Sequence, residues 1–170
     1  MGVGSDVPFF FGSAAALVTG RGEKVAPLRS RSDFKVVLVY PGFPIVTRKA
    51  YEWYDGVRDN NAEELSNPLL SMKGPKELST EYETADVPSW SFKNSFEGVV
   101  YQKFPQLAEI RSSLREMGAV HCGVSGSGST IMGVFPLDSN LDDVVHTLSL
   151  RYPFVAAVEP LERKPDPVLQ

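Results

Sequence analysis

The feature that most constrains this chain is an almost entirely apolar segment before the first long polar stretch. Positions 34–40 read FKVVLVY, and the turn-forming pair Pro41-Gly42 follows them directly. β-branched and aromatic side chains favour the pleated backbone of a strand, and a short apolar run bounded by turn residues is typical of a buried one. We therefore predict that Phe34–Tyr40 forms a buried central strand.

The sequence after this strand alternates between helical and strand patterns. Thr47 is suited to cap a helix that begins near Arg48, and Gly56 is suited to end it. Residues 57–93 carry polar runs and prolines, and no structure is assigned to them beyond one helical turn compatible with 62–65. The later patterns predict helices beginning at Asn94 and Pro105, strands at 119–124 and 130–135, a helix at 139–150 capped by Ser139, and a strand at 154–158.

The order of these elements predicts an α+β fold. From residue 34 onward it reduces to β-α-β-β-α-β once the extra helices are set aside, which is the split pattern of ferredoxin-like domains. An antiparallel sheet with helices on one face follows from that pattern. The earlier residues predict a strand pair joined by the tight turn Thr19–Glu23. We interpret residues 1–30 as a remnant of a neighbouring domain and residues 31–170 as the main domain.

Charge and composition exclude several classes of protein. The 17 Lys and Arg against 21 Asp and Glu give a net charge of −4, too mild for a nucleic-acid-binding arm. No apolar run approaches the roughly 18 residues of a membrane span, and positions 1–6 lack the regions of a secretory signal. Cys122 is the one cysteine, which excludes an intrachain disulfide and a Cys-rich zinc site. We expect a cytoplasmic protein that holds no metal of its own and binds neither nucleic acid nor membrane.

A carboxylate near the start of the chain is the first candidate for chemistry. Asp6 lies in the stretch GSDVPF, between small residues and an apolar run. Small neighbours let another molecule approach closely, and a carboxylate in such a place can act as a general base. The alternative is that Asp6 caps a turn, a position in which Asp is common.

A run of glycine and serine is the second candidate. Residues 125–130 read SGSGST, between two predicted strands. Glycine accepts positive φ, so consecutive N–H groups of such a run can form an anion-binding nest. An ordinary glycine-rich hairpin turn is the alternative. The run is not a P-loop, because no Gly-Lys-Ser/Thr and no helix follow it.

Two further patterns have a functional and a plain interpretation. Arg21, in the turn TGRGE, could meet a phosphate or simply be a solvated turn residue. Tyr51, Trp53 and Tyr54 lie close together on one predicted helix and could stack on a base. We expect two of these three rings to pack against the sheet instead. The two histidines share no metal-ligand spacing.

Several of these segments occur together, in the same order, in a known family. The stretches GSDVPFF, TGRGEKVAPL, VYPG, NSFEGVVYQKFPQLAEI and GVSGSGSTIMGVF cover most of residues 4–136 and are weakest over 57–93. In this the chain resembles the 4-diphosphocytidyl-2-C-methyl-D-erythritol kinases of the GHMP kinase superfamily. The resemblance implies the GHMP kinase C-terminal fold. It also implies an enzyme of non-mevalonate isoprenoid biosynthesis that phosphorylates a hydroxyl of its substrate with ATP and Mg²⁺.

The resemblance also implies roles for individual residues. Asp6 matches the catalytic base of the family, and Arg21, Thr47 and Tyr51 match positions that contact the cytidine diphosphate substrate. Many members have Pro where this chain has Ser129, and we expect a looser loop there. The glycine-rich motif near the transferred phosphate matches Gly123, Ser125, Gly126, Ser127, Gly128, Ser129 and Thr130.

Two parts of the family pattern are absent from this sequence. The family's N-terminal half holds an essential Lys and a glycine-rich Ser-Ser loop around the ATP phosphates, and neither is found here. We therefore expect this chain to be the C-terminal portion of such a kinase, inactive without its N-terminal domain and prone to self-association through the uncovered face. A non-catalytic ferredoxin-like module that binds a ligand, and a sister GHMP kinase acting on homoserine or phosphomevalonate, are the alternatives.

Overall fold

The fold is described by a computed structural model that covers residue 9 and the ranges 13–60 and 73–162. Its strands are β1 (Ala15–Thr19), β2 (Lys24–Leu28), β3 (Phe34–Tyr40), β4 (His121–Val124), β5 (Ile131–Pro136) and β6 (Phe154–Val158). Its helices are α1 (Thr47–Asn60), α2 (Pro75–Thr84), α3 (Glu97–Lys103), α4 (Pro105–Glu116) and α5 (Asp142–Ser149), with a 3₁₀ turn at Val87–Ser89.

The main sheet has four strands in the order β4-β5-β3-β6, and each neighbouring pair is antiparallel. β3 lies inside the sheet, where Val37 is opposite Gly133 of β5 on one side and Ala157 of β6 on the other. The predicted central strand is therefore confirmed. Helices connect β3 to β4 and β5 to β6, while β4 and β5 form a hairpin. This is the ferredoxin-like split pattern that the order of elements predicts.

Alternation along β3 separates two apolar layers. Val37 and Val39 are fully buried on the face that packs against the helices, whereas Phe34 and Val36 belong to a smaller cluster on the opposite face. On that opposite face Trp90 meets Phe34 edge-on, with ring centroids 5.1 Å apart. The core on the helical side includes Ala50, Val99, Val100, Leu107, Ile110, Leu114, Val144 and Leu148.

Three local predictions need correction. Helix α1 continues past Gly56 to Asn60, because a glycine inside a helix costs only about 1 kcal/mol relative to alanine. Helix α2 forms in the stretch to which no structure was assigned, where Glu77 accepts a hydrogen bond from the Gly74 N–H at 2.7 Å. Helix α5 begins at Asp142, and the side chain of Asn140 accepts its N–H at 3.1 Å, so Ser139 is not the cap. The turn considered at 62–65 lies outside the described residues.

The strands β1 and β2 form the predicted antiparallel pair, with Ala15 opposite Leu28 and Thr19 opposite Lys24. The chain that leaves β2 is tied to α2. The N–H of Arg29 donates to Glu83 at 3.0 Å, and the Arg31 guanidinium donates to the carbonyls of Tyr82 and Ala85 at 2.6 and 2.7 Å. The boundary near residue 30 stays a prediction.

One buried histidine makes the stability of the fold depend on pH. His121 of β4 is buried beside Trp90, and that burial lowers its pKa below the ordinary 6.5, with the positive charge of Arg115 acting in the same direction. The folded state therefore binds this proton less readily than the unfolded state does. The free energy of unfolding should decrease as the pH falls through about 6.5, and level off below the folded-state pKa.

Urea unfolding measures this effect directly. We expect the midpoint to be lower at about pH 5 than at about pH 7.5, and the difference to shrink in His121→Gln. His146→Gln is the matched control, because that side chain is exposed on α5. An equal pH dependence in wild type and His121→Gln would contradict the prediction.

Candidate functional site

The Ser125–Thr130 loop connects β4 to β5 and is closed by backbone hydrogen bonds. The Ser125 N–H donates to the carbonyl of Thr130, and the Gly128 N–H donates to the carbonyl of Ser125, both at 2.9 Å. Gly126 and Gly128 have φ values of 57° and 89°. Glycine adopts this left-handed conformation without the steric penalty of a Cβ. The loop shape therefore depends on glycine at these positions.

The loop also shows one backbone feature of an anion nest. No described non-glycine residue has a positive φ, so the sign of φ alternates from Ser125 through Gly128. Alternation of this kind turns successive N–H groups toward one point, where they can hold an anion. Within the ranges that the structure describes, the N–H groups of Gly126 and Ser127 have no protein acceptor. These groups are available to a phosphate oxygen.

The segment between β3 and α1 packs directly against this loop. The buried Ser129 hydroxyl donates a hydrogen bond to the carbonyl of Phe43. A Cβ placed on Gly128 would lie 3.1 Å from Ile45 Cδ1 and 3.3 Å from Val124 Cγ1. The Ser129 hydroxyl thus anchors the loop to this segment, and the expectation that the loop is looser than one with proline stays a prediction.

Thr47 reaches the loop from the first turn of α1. Its Oγ1 lies 3.0 Å from the Oγ of Ser127, so the two hydroxyls share a hydrogen bond. The prediction that Thr47 caps α1 is wrong, since Thr47 is its first helical residue and the Val46 carbonyl accepts the N–H of Ala50. This contact brings a predicted substrate residue and the predicted phosphate loop together.

An aromatic surface continues from Thr47 along α1. The Tyr51 side chain is 55% exposed and meets Phe96 edge-on, with ring centroids 4.9 Å apart. Tyr54 contacts the same Phe96 at 6.0 Å, and Trp53 contacts Phe104 at 5.9 Å. As expected for two of the three rings, Trp53 and Tyr54 pack against the main apolar core, which includes residues of the sheet, although their nearest ring contacts are with α3 and its flanking residues. Tyr51 keeps an open face one helical turn from Thr47.

Two residues at the start of α3 also hold the loop, and sequence reasoning did not single them out as site residues. The Asn94 amide donates to the carbonyls of Val124 at 2.8 Å and Gly126 at 2.7 Å. Glu97 accepts the N–H of Val124 at 3.1 Å. A Cβ on Gly123 would lie 2.8 Å from the same carboxylate. An Asn just before a helix signals a cap, and nothing in the sequence connects it to a loop thirty positions later.

Of the other predicted site residues, one makes no contact with this cluster and one lies outside the described residues. Asp6 lies outside the described residues, so its place relative to Ser127 stays a prediction. Arg21 lies in the exposed β1–β2 turn, where its backbone N–H donates to Glu23 at 2.6 Å. The structure therefore joins Thr47 to the Ser125–Thr130 loop, with Tyr51 one helical turn further along α1.

In the part of the chain that the structure describes, the remaining reactive groups form no second centre. Burial raises the pKa of the Cys122 thiol to about 11, so it stays protonated near neutral pH. Among the described residues, no three His, Cys, Asp or Glu side chains come together as metal ligands would. No helix in the same ranges is long and apolar enough to cross a membrane.

Comparison with known proteins identifies similar chains. Residues 85–153 match the family model described as "GHMP kinases C terminal". A 4-diphosphocytidyl-2-C-methyl-D-erythritol kinase of Treponema pallidum is 35% identical over 150 residues, which are 88% of this chain and 51% of the relative. This chain thus spans about half the length of the curated relatives it matches.

Solved structures agree with the sequence matches. The crystal structure of a 4-(cytidine 5'-diphospho)-2C-methyl-D-erythritol kinase aligns with a TM-score of 0.65 and 26% identity, over 91% of this chain and 52% of the other. A homoserine kinase of Cytophaga hutchinsonii shares the fold alone, with a TM-score of 0.58 and 14% identity over 88% and 50% of the two chains. These matches confirm the resemblance and the GHMP kinase C-terminal fold expected from the motifs.

Proposed function

We propose that this homologue of the GHMP kinases, which has the fold of their C-terminal domain, forms part of a 4-diphosphocytidyl-2-C-methyl-D-erythritol kinase. In the complete enzyme it serves ATP-dependent phosphorylation of that substrate's hydroxyl, in the cytoplasm and in isoprenoid biosynthesis. The observation that carries the proposal is the contact of Thr47 with Ser127 at 3.0 Å. It supports a site in which residues for the acceptor and for the phosphate are neighbours.

The chain's own groups are suited to positioning both reactants. The N–H groups of Gly126 and Ser127 would donate to a phosphate oxygen and hold it against the loop. The exposed ring of Tyr51 would lie against the cytosine, and Thr47 and Arg21 would contact the substrate. Phosphoryl transfer depends mainly on such positioning and on stabilising charge on the transferred group.

The base and the metal complete the proposal. We assign proton removal from the substrate hydroxyl to Asp6, as the resemblance implies. Mg²⁺ would accompany the nucleotide phosphates and neutralise their charge. The described residues offer no cluster of carboxylates for it, so no step is assigned to it through them. The ATP loop and its Lys would come from the N-terminal domain, the partner that this chain requires.

A substrate comparison tests the function. The complete gene product should release ADP with ATP and 4-diphosphocytidyl-2-C-methyl-D-erythritol, and much less with homoserine or phosphomevalonate as acceptor. The 170-residue chain alone should show no turnover. Preference for homoserine or phosphomevalonate would favour a sister kinase, and absence of turnover with every acceptor would favour a non-catalytic module.

A further inference from the structure

The Asn94 side chain uses both ends of its amide in the described structure. Its Nδ2 donates to the carbonyls of Val124 at 2.8 Å and Gly126 at 2.7 Å. Its Oδ1 accepts the N–H of Phe96 at 2.9 Å. One half-buried residue therefore touches the end of β4, the phosphate loop and the start of α3. Among side chains of this size, only the amide of Asn offers two donors and an acceptor in one plane.

The two donors fix the entrance to the loop. β4 is an outer strand of the main sheet, so the carbonyl of Val124 that faces away from β5 has no strand to accept from. Asn94 donates to this carbonyl in place of a neighbouring strand, and Glu97 accepts the Val124 N–H at 3.1 Å in the same way. The second Asn94 donor bonds the Gly126 carbonyl and sets the orientation of the peptide that follows, whose N–H belongs to Ser127.

The acceptor fixes the aromatic side of the site. The hydrogen bond from Phe96 sets the first turn of α3, and the Phe96 ring is the one that Tyr51 and Tyr54 contact. Movement of that turn would displace the surface beneath Tyr51. The two ends of one amide thus serve the two halves of the proposed site.

We propose that Asn94 is a positioning residue that fixes the phosphate loop through Nδ2 and the aromatic acceptor surface through Oδ1. The inference rests on the proposed function, and it predicts that the two roles separate. Asn94→Asp keeps an oxygen for the Phe96 N–H but sets a carboxylate oxygen against the carbonyls of Val124 and Gly126. Asn94→Ala removes both roles.

Steady-state kinetics of the complete gene product test this separation. We expect Asn94→Asp to lower kcat about 10- to 100-fold with the KM for the acceptor changed less than about threefold, since a displaced loop misplaces the phosphoryl group. Asn94→Ala should lower kcat and also raise that KM. Asn140→Asp is the control, because Asn140 caps α5 through Oδ1 alone, with an exposed side chain away from the loop.

Amide hydrogen exchange gives a readout that does not need turnover. The N–H groups of Ser125 and Gly128, which close the loop, should exchange about tenfold faster in Asn94→Asp and at the wild-type rate in Asn140→Asp. A kcat within threefold of wild type in Asn94→Asp would overturn the inference. So would equal changes of kcat and of the acceptor KM in Asn94→Asp and Asn94→Ala, because the two roles would then not separate. If the wild-type enzyme phosphorylates none of the acceptors, the proposed function fails, and the exchange rates alone decide the role of Asn94 toward the loop.

Discussion

Asp6→Asn in the complete gene product should lower kcat by about 10² to 10⁴, the range that a positioned general base contributes. Asn is nearly isosteric with Asp but does not accept a proton at neutral pH, so the substrate hydroxyl would have to attack with its proton in place. The KM for the acceptor should change much less, because recognition is assigned to Thr47, Tyr51 and Arg21. Initial rates with saturating ATP measure both parameters.

Asp138→Asn is the matched control for this experiment. Asp138 is exposed in the turn after β5, so the same loss of charge is made away from the loop. We expect its turnover to equal that of the wild type. If Asp6→Asn keeps turnover within a few-fold of wild type, Asp6 is not the base. The alternative that Asp6 caps a turn would then be the better interpretation of this residue.

Gly128→Ala should destabilise the 170-residue chain by about 2–4 kcal/mol and abolish most of the activity of the complete enzyme. A Cβ at φ 89° costs about 1–2 kcal/mol by itself. The new methyl group would also lie 3.1 Å from Ile45 and 3.3 Å from Val124, closer than ordinary van der Waals contact. The loop would have to move away from the Phe43–Val46 segment to admit it.

Gly126→Ala separates the two causes. Gly126 has a φ of 57°, but a Cβ there meets nothing within 4 Å. Gly126→Ala should therefore lower the free energy of unfolding only by the cost of a Cβ at positive φ, about 1–2 kcal/mol. Urea unfolding of the two variants gives the difference, which measures the packing of the loop. Equal destabilisation by both substitutions would show that the contacts at Gly128 cost nothing.

The elements with a continuous apolar run or with helical apolar spacing were predictable from the sequence. The strand Phe34–Tyr40 is found within its predicted bounds, and so is the final strand Phe154–Val158. Helix α4 buries Leu107, Ile110 and Leu114, which recur at helical spacing. Helix α2 was not predictable in the same way, because its sequence PKELSTEYET is mostly polar, and it is held by contacts with Arg29 and Arg31.

The candidate site was predictable only in its residue types. A glycine-serine run between two strands is compatible with a nest or with an ordinary hairpin turn, and the signs of φ from Ser125 to Gly128 alternate as in a nest. The sequence did not indicate that the Ser129 hydroxyl would reach Phe43, or that the Asn94 amide would reach Gly126. The first contact joins residues 86 positions apart, and the second joins residues 32 positions apart.

By itself the sequence determined the family resemblance, the split order of strands and helices, and the presence of a glycine-serine turn between two strands. Local backbone preference and apolar spacing act over a few neighbours, so they can be recognised along a single chain. Only the tertiary structure decided that Thr47 and Asn94 contact the loop and that Tyr51 packs against Phe96, two positions after Asn94. Side-chain hydrogen bonds depend on where separate elements pack against each other. The sequence around a donor or an acceptor does not show which distant segment will lie beside it.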